Sequence, residues 1–126
     1  MKNIILIGAG GHANSVYDVI LSTKKFKIEK ILDKKLNIKH SFPKKKIEKT
    51  NKFLKENKFK KNLHLSFGSI YNLNKRYELI ISLEKKKIYN FPVIISPRSY
   101  LSKFSKILEG TVVMHNSIIN YGVSIS

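Results

Sequence analysis

The sequence predicts an α/β fold: a small Rossmann-like parallel-sheet domain followed by the first coils of a left-handed parallel β-helix. Three observations lead to this prediction. A glycine-rich turn follows a largely apolar run at residues 2–7. Strand and helix patterns then alternate to about residue 95, and beyond that point aliphatic residues recur at every sixth position. We therefore expect a first domain over residues 1–94 and an incomplete β-helix over residues 95–126.

The front part of the chain alternates strand and helix patterns. The run at residues 2–7, which is continuously apolar from Ile4, is typical of a buried parallel strand. Apolar spacing predicts a helix from Ala13 to about Ser22, and Ile28 to Leu32 predicts a second strand that ends at Asp33. The later patterns predict a polar loop at 34–46, a short basic helix at 47–57, a strand at 63–67, a helix around 77–83 and a strand at 91–95.

The C-terminal third has a period of six, which neither a helix (about 3.6) nor a flat strand (about 2) produces. A triangular parallel β-helix does produce it, because each face uses one hexapeptide, with an aliphatic side chain inside and a small residue at the tight corner. The inward positions are Ile95, Leu101, Ile107, Val113, Ile119 and Ile125, and the corner positions are Ser99, Ser105, Thr111, Ser117 and Val123.

Composition excludes several classes of protein. The 126-residue chain is 42% hydrophobic, enough for a packed core, and it has no cysteine, which excludes disulfides, thiolate zinc sites and cysteine nucleophiles. Of the 25 basic residues behind the net charge of +17, all but Arg76 and Arg98 are lysine. Nucleic-acid readers rely on arginine forks, so we expect a solvated basic surface and no nucleic-acid partner.

The apolar run near the N-terminus is too short for a signal peptide core or a membrane span. It stops at Gly8 and is followed by polar residues. We therefore expect a cytoplasmic protein with no membrane partner. We also expect no metal site, because carboxylates are few and no histidine pair has ligand spacing.

The glycine-rich turn predicts nucleotide binding. Gly8-x-Gly10-x-x-Ala13 follows a strand and opens a helix, and Asp33 comes twenty residues after Ala13. Glycines allow the backbone to approach a diphosphate, and the helix N-terminus offers N–H groups and positive potential. About 95 residues are too few for a full dinucleotide fold, so a nucleoside diphosphate sugar fits better than NAD. His12 in the loop either meets phosphate or sugar or faces solvent.

The loop from Gly8 to Ala13 together with the hexapeptide array from residue 95 resembles the NeuD/PglD-type family of sugar O- and N-acetyltransferases. The resemblance covers the whole chain, and its most specific part runs from Ser96 to Asn120. It implies acetyl-CoA as donor, a homotrimer once the β-helix is complete, and an acceptor amino or hydroxyl group on a nucleotide-activated or sialic-type sugar.

The resemblance also implies roles for particular residues. Gly8, Gly10, Gly11 and His12 match the loop that cradles the acceptor's phosphates. Asp33 matches the acidic position that contacts the nucleoside. A further acceptor-side segment, a glycine followed by a basic residue on the next helix, is matched by Gly68, Ser69 and Arg76.

The family's general base is a histidine in the β-helix that follows an Ile-Asn-x-Gly-x-x-Ile stretch. Here Ile119 to Ile125 matches that stretch, so we expect the base beyond Ser126 and no catalytic residue within this sequence. His115 is expected to be a solvent-facing corner residue, and neither His40 nor His64 is assigned to a site. We accordingly expect a truncated form, from which the acetyl-CoA site is also missing.

Two functions remain open from the sequence. The first is an acetyl-CoA-dependent acetyltransferase of nucleotide-activated or sialic-type sugars, present without its catalytic base. The second is a stand-alone nucleotide-binding or regulatory domain that binds NAD or a nucleotide sugar through Gly8 to Asp33 without chemistry. Stabilisation by nucleotide sugars or by NAD distinguishes them.

Overall fold

The computed structural model describes residues 1–34, 47–66 and 73–125. Its front unit is an α/β layer built on one parallel sheet. The elements of this unit are, in chain order, β1 (Lys2–Ile7), α1 (Gly11–Thr23), β2 (Phe26–Asp33), β3 (Ile47–Lys49), α2 (Thr50–Glu56), β4 (Lys61–Leu65), α3 (Leu73–Lys85) and β5 (Tyr89–Asn90). The five strands lie in the order β3-β2-β1-β4-β5, and every pair is parallel.

The two faces of the sheet bury different helices, because successive strand residues point to opposite sides. On β1, Ile4 and Leu6 join the apolar cluster that contains α1. Ile5 and Ile7 join the opposite cluster, which contains Phe53 of α2 and Leu83 of α3. The sheet is therefore the middle of three layers, and the apolar run from Ile4 to Ile7 is buried on both faces of the strand.

The strand order places β1 beside β4 although they lie far apart in sequence. The chain leaves β1 toward β2 on one side and reaches β4 and β5 on the other, so the order reverses at this pair. In open parallel sheets such a reversal opens a crevice at the carboxyl ends of the strands. Here that position is occupied by the glycine loop after Ile7 and by Ser66 after Leu65.

Two predictions of secondary structure need correction. The helix predicted from Ile47 begins only at Thr50, because the three preceding residues pair with the end of β2 as β3. The strand predicted at 91–95 divides: Tyr89–Asn90 completes the sheet, and Ile94–Ile95 belongs to the C-terminal part. Pro92 stands between them and has no N–H to donate to a ladder. The polar loop predicted at 34–46 falls outside the described residues from 35 onward.

The C-terminal part is a coil of two-residue strands that recur every six residues. These are β6 (Ile94–Ile95), β7 (Tyr100–Leu101), β8 (Lys106–Ile107), β9 (Val112–Val113), β10 (Ile118–Ile119) and β11 (Ser124–Ile125). The first three pair in parallel with the last three, each with the strand eighteen residues further on. Three strands per turn and three two-stranded sheets define a three-sided coil whose strands recur at every sixth residue.

The corners of the coil are closed by the small residues that the sequence pattern singled out. Ser99 and Ser105 each donate both the backbone N–H and the hydroxyl to the carbonyl three residues earlier. At the corners that precede β9, β10 and β11, Gly110, Asn116 and Gly122 have φ of 80°, 62° and 76°. Glycine and asparagine are the residues that adopt this left-handed region most readily.

The front unit and the coil share an apolar contact. Ile94, the first residue of β6, is fully buried in the cluster that contains α1, and Val112 and Met114 pack against the same cluster. The coil therefore begins as an extension of the front unit's hydrophobic layer. Within the three described stretches, no helix combines the length and apolar character needed to cross a bilayer.

Candidate functional site

The first glycine of the loop is required by the backbone. Gly8 has φ of +106°, which an L-residue adopts only with strain. Its N–H donates to Leu32 O at 2.6 Å, and its carbonyl accepts a hydrogen bond of 2.8 Å from the Ser66 hydroxyl. Ser66, fully buried at the end of β4, thus fixes the loop that follows β1.

The next two glycines are not required by the fold. Gly10 is the N-cap of α1 with φ of −82°, which any residue can adopt, and Gly11 begins the helix. Both are exposed, and an added Cβ would meet no atom within 4 Å at either position. The first turn of α1 has neither a capping side chain nor an acidic residue. An uncapped helix end with open space in front of it suits the close approach of an anion.

One cleft opens at the ends of β1 and β2, and we call it the strand-end cleft. It has a volume of about 330 Å³, and Gly8 and Asp33 line it together with Thr50, Lys75 and Leu79. Asp33 accepts a hydrogen bond of 2.6 Å from the Lys34 N–H to Oδ1. The cleft combines a carboxylate with lysine ammonium groups and an apolar wall, which can bind a sugar or base and a neighbouring phosphate.

A second cleft lies between the front unit and the coil, and we call it the coil cleft. Its volume is about 430 Å³. One wall comes from the front unit and includes His12, His64 and Arg76, and the other comes from Phe91 and residues 109–112. Arg76, Ile80 and Glu84 follow one another at four-residue spacing on α3, so they form one stripe along the cleft.

His64 is the unusual residue of the coil cleft. Its side chain is buried, and Nδ1 has no hydrogen-bond partner among the described residues. Burial, together with the positive charges of nearby Arg76 and His12, lowers the pKa of His64 to about 4. The imidazole is therefore neutral near pH 7, which allows it to lie beside a guanidinium without repulsion.

The structure divides the predicted site residues between the two clefts. Gly8 and Asp33 line the strand-end cleft, and His12 and Arg76 line the coil cleft. Gly10 and Gly11, at the start of α1, lie between Gly8 of one cleft and His12 of the other. Gly68 and Ser69 fall outside the described residues.

Sequence reasoning missed two buried residues of the site and misplaced one histidine. His64 was assigned to no site, and Ser66 was not singled out, because only the pairing of β4 beside β1 brings them to the loop. His115, predicted to face solvent, instead bonds Ser96 Oγ and Asp18 Oδ2. Its side chain is 28% exposed, since α1 packs over that corner of the coil.

The fold and the two clefts together define a class of protein: a Rossmann-like unit with an open glycine loop, joined directly to a three-sided parallel coil. The family comparison agrees with this class. The model of the PglD N-terminal domain family matches residues 3–80, more than half of the chain. The chain belongs to the PglD N-terminal domain family.

Solved structures show the same fold over the whole chain. One is a histidine-to-asparagine mutant of perosamine N-acetyltransferase from Caulobacter crescentus in complex with CoA and GDP-perosamine. Its sequence identity to this chain is 18% and its TM-score is 0.75, and the match covers 99% of this chain and 57% of that one. Another is the acetyltransferase domain of PglB from Neisseria gonorrhoeae in complex with acetyl coenzyme A. Its sequence identity to this chain is 23% and its TM-score is 0.75, and the match covers 98% of this chain and 58% of that one.

PerB from Caulobacter crescentus, in complex with CoA and GDP-perosamine, is 18% identical with a TM-score of 0.67; the match covers 99% of this chain and 64% of that one. The chain thus spans about three-fifths of the length of the solved proteins it resembles. No curated protein matches it in sequence. At these identities the likeness establishes the fold.

Proposed function

We propose that this chain binds the nucleotide-activated amino or sialic-type sugar that serves as acceptor for an acetyl-CoA-dependent acetyltransferase. In this proposal residues 1–94 form the sugar-nucleotide domain, and residues 95–126 begin a hexapeptide-repeat left-handed β-helix. Acetyl-CoA would supply the acyl group as a thioester. We assign none of the described residues to acetyl-CoA, so the proposal concerns binding of the acceptor.

The observation that carries the proposal is the open pair of glycines in front of α1. Neither backbone strain nor packing requires Gly10 and Gly11 to be glycine. A ligand that approaches the backbone closely does require it, and the uncapped helix end favours a negative charge there. A diphosphate is the anionic group that best satisfies both conditions.

The clefts at the two ends of the loop support a ligand with a group on each side of its phosphates. Gly8 and Asp33 lie on one side, and His12 and Arg76 lie on the other. The Asp33 carboxylate suits ribose hydroxyl or base N–H donors, while the Arg76 guanidinium suits phosphate. A nucleoside diphosphate sugar has this arrangement of groups, and GDP-perosamine is bound in two of the similar solved proteins.

Binding is tested by thermal shift and calorimetry with UDP-sugars, GDP-sugars and NAD. A ligand at a hundred times its Kd should raise the free energy of unfolding by about 2.7 kcal/mol. We expect this effect with a nucleotide sugar and not with NAD. Stabilisation by NAD alone would support the stand-alone NAD-binding domain instead, and stabilisation by neither would reject the proposal.

Two variants locate the bound ligand. Gly10→Ala and Gly11→Ala should fold with near-normal stability, because their added methyl groups have space. Each should weaken nucleotide-sugar binding roughly tenfold, since the methyl group stands where the phosphates approach. Ser15→Ala, an exposed position further along α1, is the matched control and should bind as the wild type does.

We also propose a cytoplasmic protein that forms a homotrimer once the β-helix is complete, since nucleotide sugars and acetyl-CoA are cytoplasmic metabolites and the resemblance to the NeuD/PglD-type family implies a trimer. The outer surface of the coil supports assembly, because several large apolar side chains on it are exposed. Tyr100 and Ile118 are 60% and 71% exposed on one face of the coil. At a corner, the ring centroids of Phe104 and Tyr121 lie 4.9 Å apart. Sedimentation of the wild type and of Ile118→Lys tests the role of this face in assembly: equal self-association of the two proteins would contradict it.

A further inference from the structure

A chain of hydrogen bonds joins α1 to both turns of the coil. Ser96 Oγ, at the first corner of the coil, lies 2.5 Å from His115 Nδ1, one turn further along. His115 Nε2 lies 3.1 Å from Asp18 Oδ2 on α1. These residues are 19 and 97 positions apart in sequence, so only the folded arrangement of front unit and coil brings them together.

The direction of these hydrogen bonds follows from the donors available. Ser96 is 1% exposed, and its Oγ already accepts the Arg98 N–H at 3.0 Å. The Ser96 hydroxyl oxygen has room to accept a second hydrogen bond, so the direction is set at the other end, where the Asp18 carboxylate can only accept. In the neutral ring Nδ1 then carries no hydrogen and accepts that of the Ser96 hydroxyl. Nε2 of the neutral ring carries the hydrogen and donates it to the Asp18 carboxylate. One tautomer of His115 satisfies all three groups.

The arrangement resembles that of a nucleophile, a base and an acid, but its chemistry is different. A serine nucleophile must reach its substrate, and the burial of Ser96 prevents this. The Ser96 hydroxyl is instead held inside the corner of the coil. The bonds therefore connect parts of the fold, and their orientation makes them specific for one placement of α1.

The coil cleft depends on that placement. His12, near the start of α1, contributes to one wall, and Gly110, Thr111 and Val112 contribute to the opposite wall. His115 comes three positions after Val112, and its side chain bonds Asp18 on α1. The buried contacts of α1 with Ile94 are apolar, and such contacts do not fix direction. The two hydrogen bonds supply the directional restraint.

We propose that His115 is a positioning residue that holds α1, and with it the glycine loop, at one distance from the coil, so that the coil cleft keeps the width its ligand requires. The structural part of this proposal stands on the hydrogen bonds. Its consequence for ligand binding rests on the proposed function.

The experiment measures the distance between α1 and the coil directly. The chain has no cysteine, so cysteines introduced at the exposed Ser15 and Asn120 can carry two spin labels without further changes. We compare the distance distribution of the labelled wild type with those of His115→Ala, Asp18→Ala and Asp18→Asn. Glu78→Ala, which removes an exposed carboxylate from α3, is the control for charge.

His115→Ala and Asp18→Ala should broaden the distribution at least twofold. Asp18→Asn should keep the wild-type width, because its amide oxygen still accepts the hydrogen bond from Nε2, and Glu78→Ala should also keep it. Asp18 is 75% exposed, so its replacement should change stability by less than about 1 kcal/mol. Asp18→Ala therefore remains testable even if His115→Ala folds poorly.

Loss of the restraint should weaken nucleotide-sugar binding roughly twofold to tenfold, the equivalent of one hydrogen bond. Unchanged distance distributions in His115→Ala and Asp18→Ala would overturn the proposal. So would a broadening that Asp18→Asn shows to the same extent as Asp18→Ala. If the wild type binds no nucleotide sugar, the proposed function fails, and the distance distributions still decide the role of His115.

Discussion

The front unit and the coil obtain their structure in different ways. In the front unit, large side chains such as Leu6 and Ile31 are fully buried between sheet and helices. In the coil, the inward residues Val113 and Ile119 are buried, but Leu101 and Ile107 remain half-buried, and aromatic rings stand on the outside. The comparison teaches that a regular sequence period fixes the path of a chain without ensuring a deep core. We therefore expect the stability of this chain to lie mainly in its front unit.

The sharpest test of this comparison replaces one inward side chain in each region. Leu6→Ala should lower the free energy of unfolding by about 2–5 kcal/mol, because it leaves a cavity in a fully buried layer. Ile107→Ala should cost less than about 2 kcal/mol, because water already reaches its site. Urea denaturation measures both. Equal losses would show that the coil is as tightly packed as the front unit.

The second prediction concerns the buried histidine of the front unit. His64 has a pKa of about 4 in the folded chain, against the ordinary histidine value of 6.5, so the unfolded chain binds more protons between these values. The contribution that neutral His64 makes to the free energy of unfolding is fully present above pH 6.5. It declines as the pH falls below 6.5 and is lost once the pH has fallen through 4. The loss should be on the order of 3 kcal/mol.

His64→Phe should flatten this dependence and raise stability near pH 7, because it removes a buried polar atom that has no hydrogen-bond partner among the described residues. Unfolding free energies of the two proteins, measured from pH 7.5 to 4, provide the test. Since other titrating groups are common to both, only the difference between the curves matters. Parallel curves would show that His64 is not the group responsible.

A smaller effect is expected at the first glycine of the loop. Gly8→Ala should cost about 1–3 kcal/mol, because alanine is strained at φ of +106°. Gly10→Ala, whose backbone lies in an ordinary region, should cost much less. Thermal unfolding of the two variants provides the comparison, and similar losses would mean that backbone strain does not distinguish these glycines.

The smallest effect is expected at a corner of the coil. Ser105→Ala removes a hydroxyl that donates to Ser102 O at 2.6 Å, and the loss should be about 0.5–1.5 kcal/mol. Ser124→Ala, on the outer surface of the last strand, should have no measurable effect. Chemical denaturation tests the difference between the two variants, with one slope of unfolding free energy against denaturant concentration fitted to both. A loss at Ser124 as large as that at Ser105 would contradict the role of the corner hydroxyl.

The sequence predicted best those parts of the fold in which neighbouring residues carry the signal. The apolar run of β1, the glycine turn and the period of six are all local patterns, and the structure has each of them. The short strand at Ile47 was missed because three residues show no period, and its pairing with β2 determines its conformation.

The same limit applies to the candidate site. His12 and Asp33 could be chosen because a motif of fixed spacing includes them. The roles of His64 and His115 depend on partners that the fold brings from other elements, such as Asp18 for His115. Burial of His64 beside Arg76 is equally invisible in a linear pattern, since polar residues are common in β4 and nothing in the sequence marks His64 as the buried one.

Ile94 has a consequence for protein engineering. It is the first residue of the coil's ladder and also part of the layer beneath α1, so no spacer separates the two regions. A chimaera that joins this front unit to a foreign coil would have to retain an aliphatic side chain at Ile94 and a matching one at Val112 one turn later. Without these two side chains, the chimaera would have a cavity beneath α1 where the two regions meet.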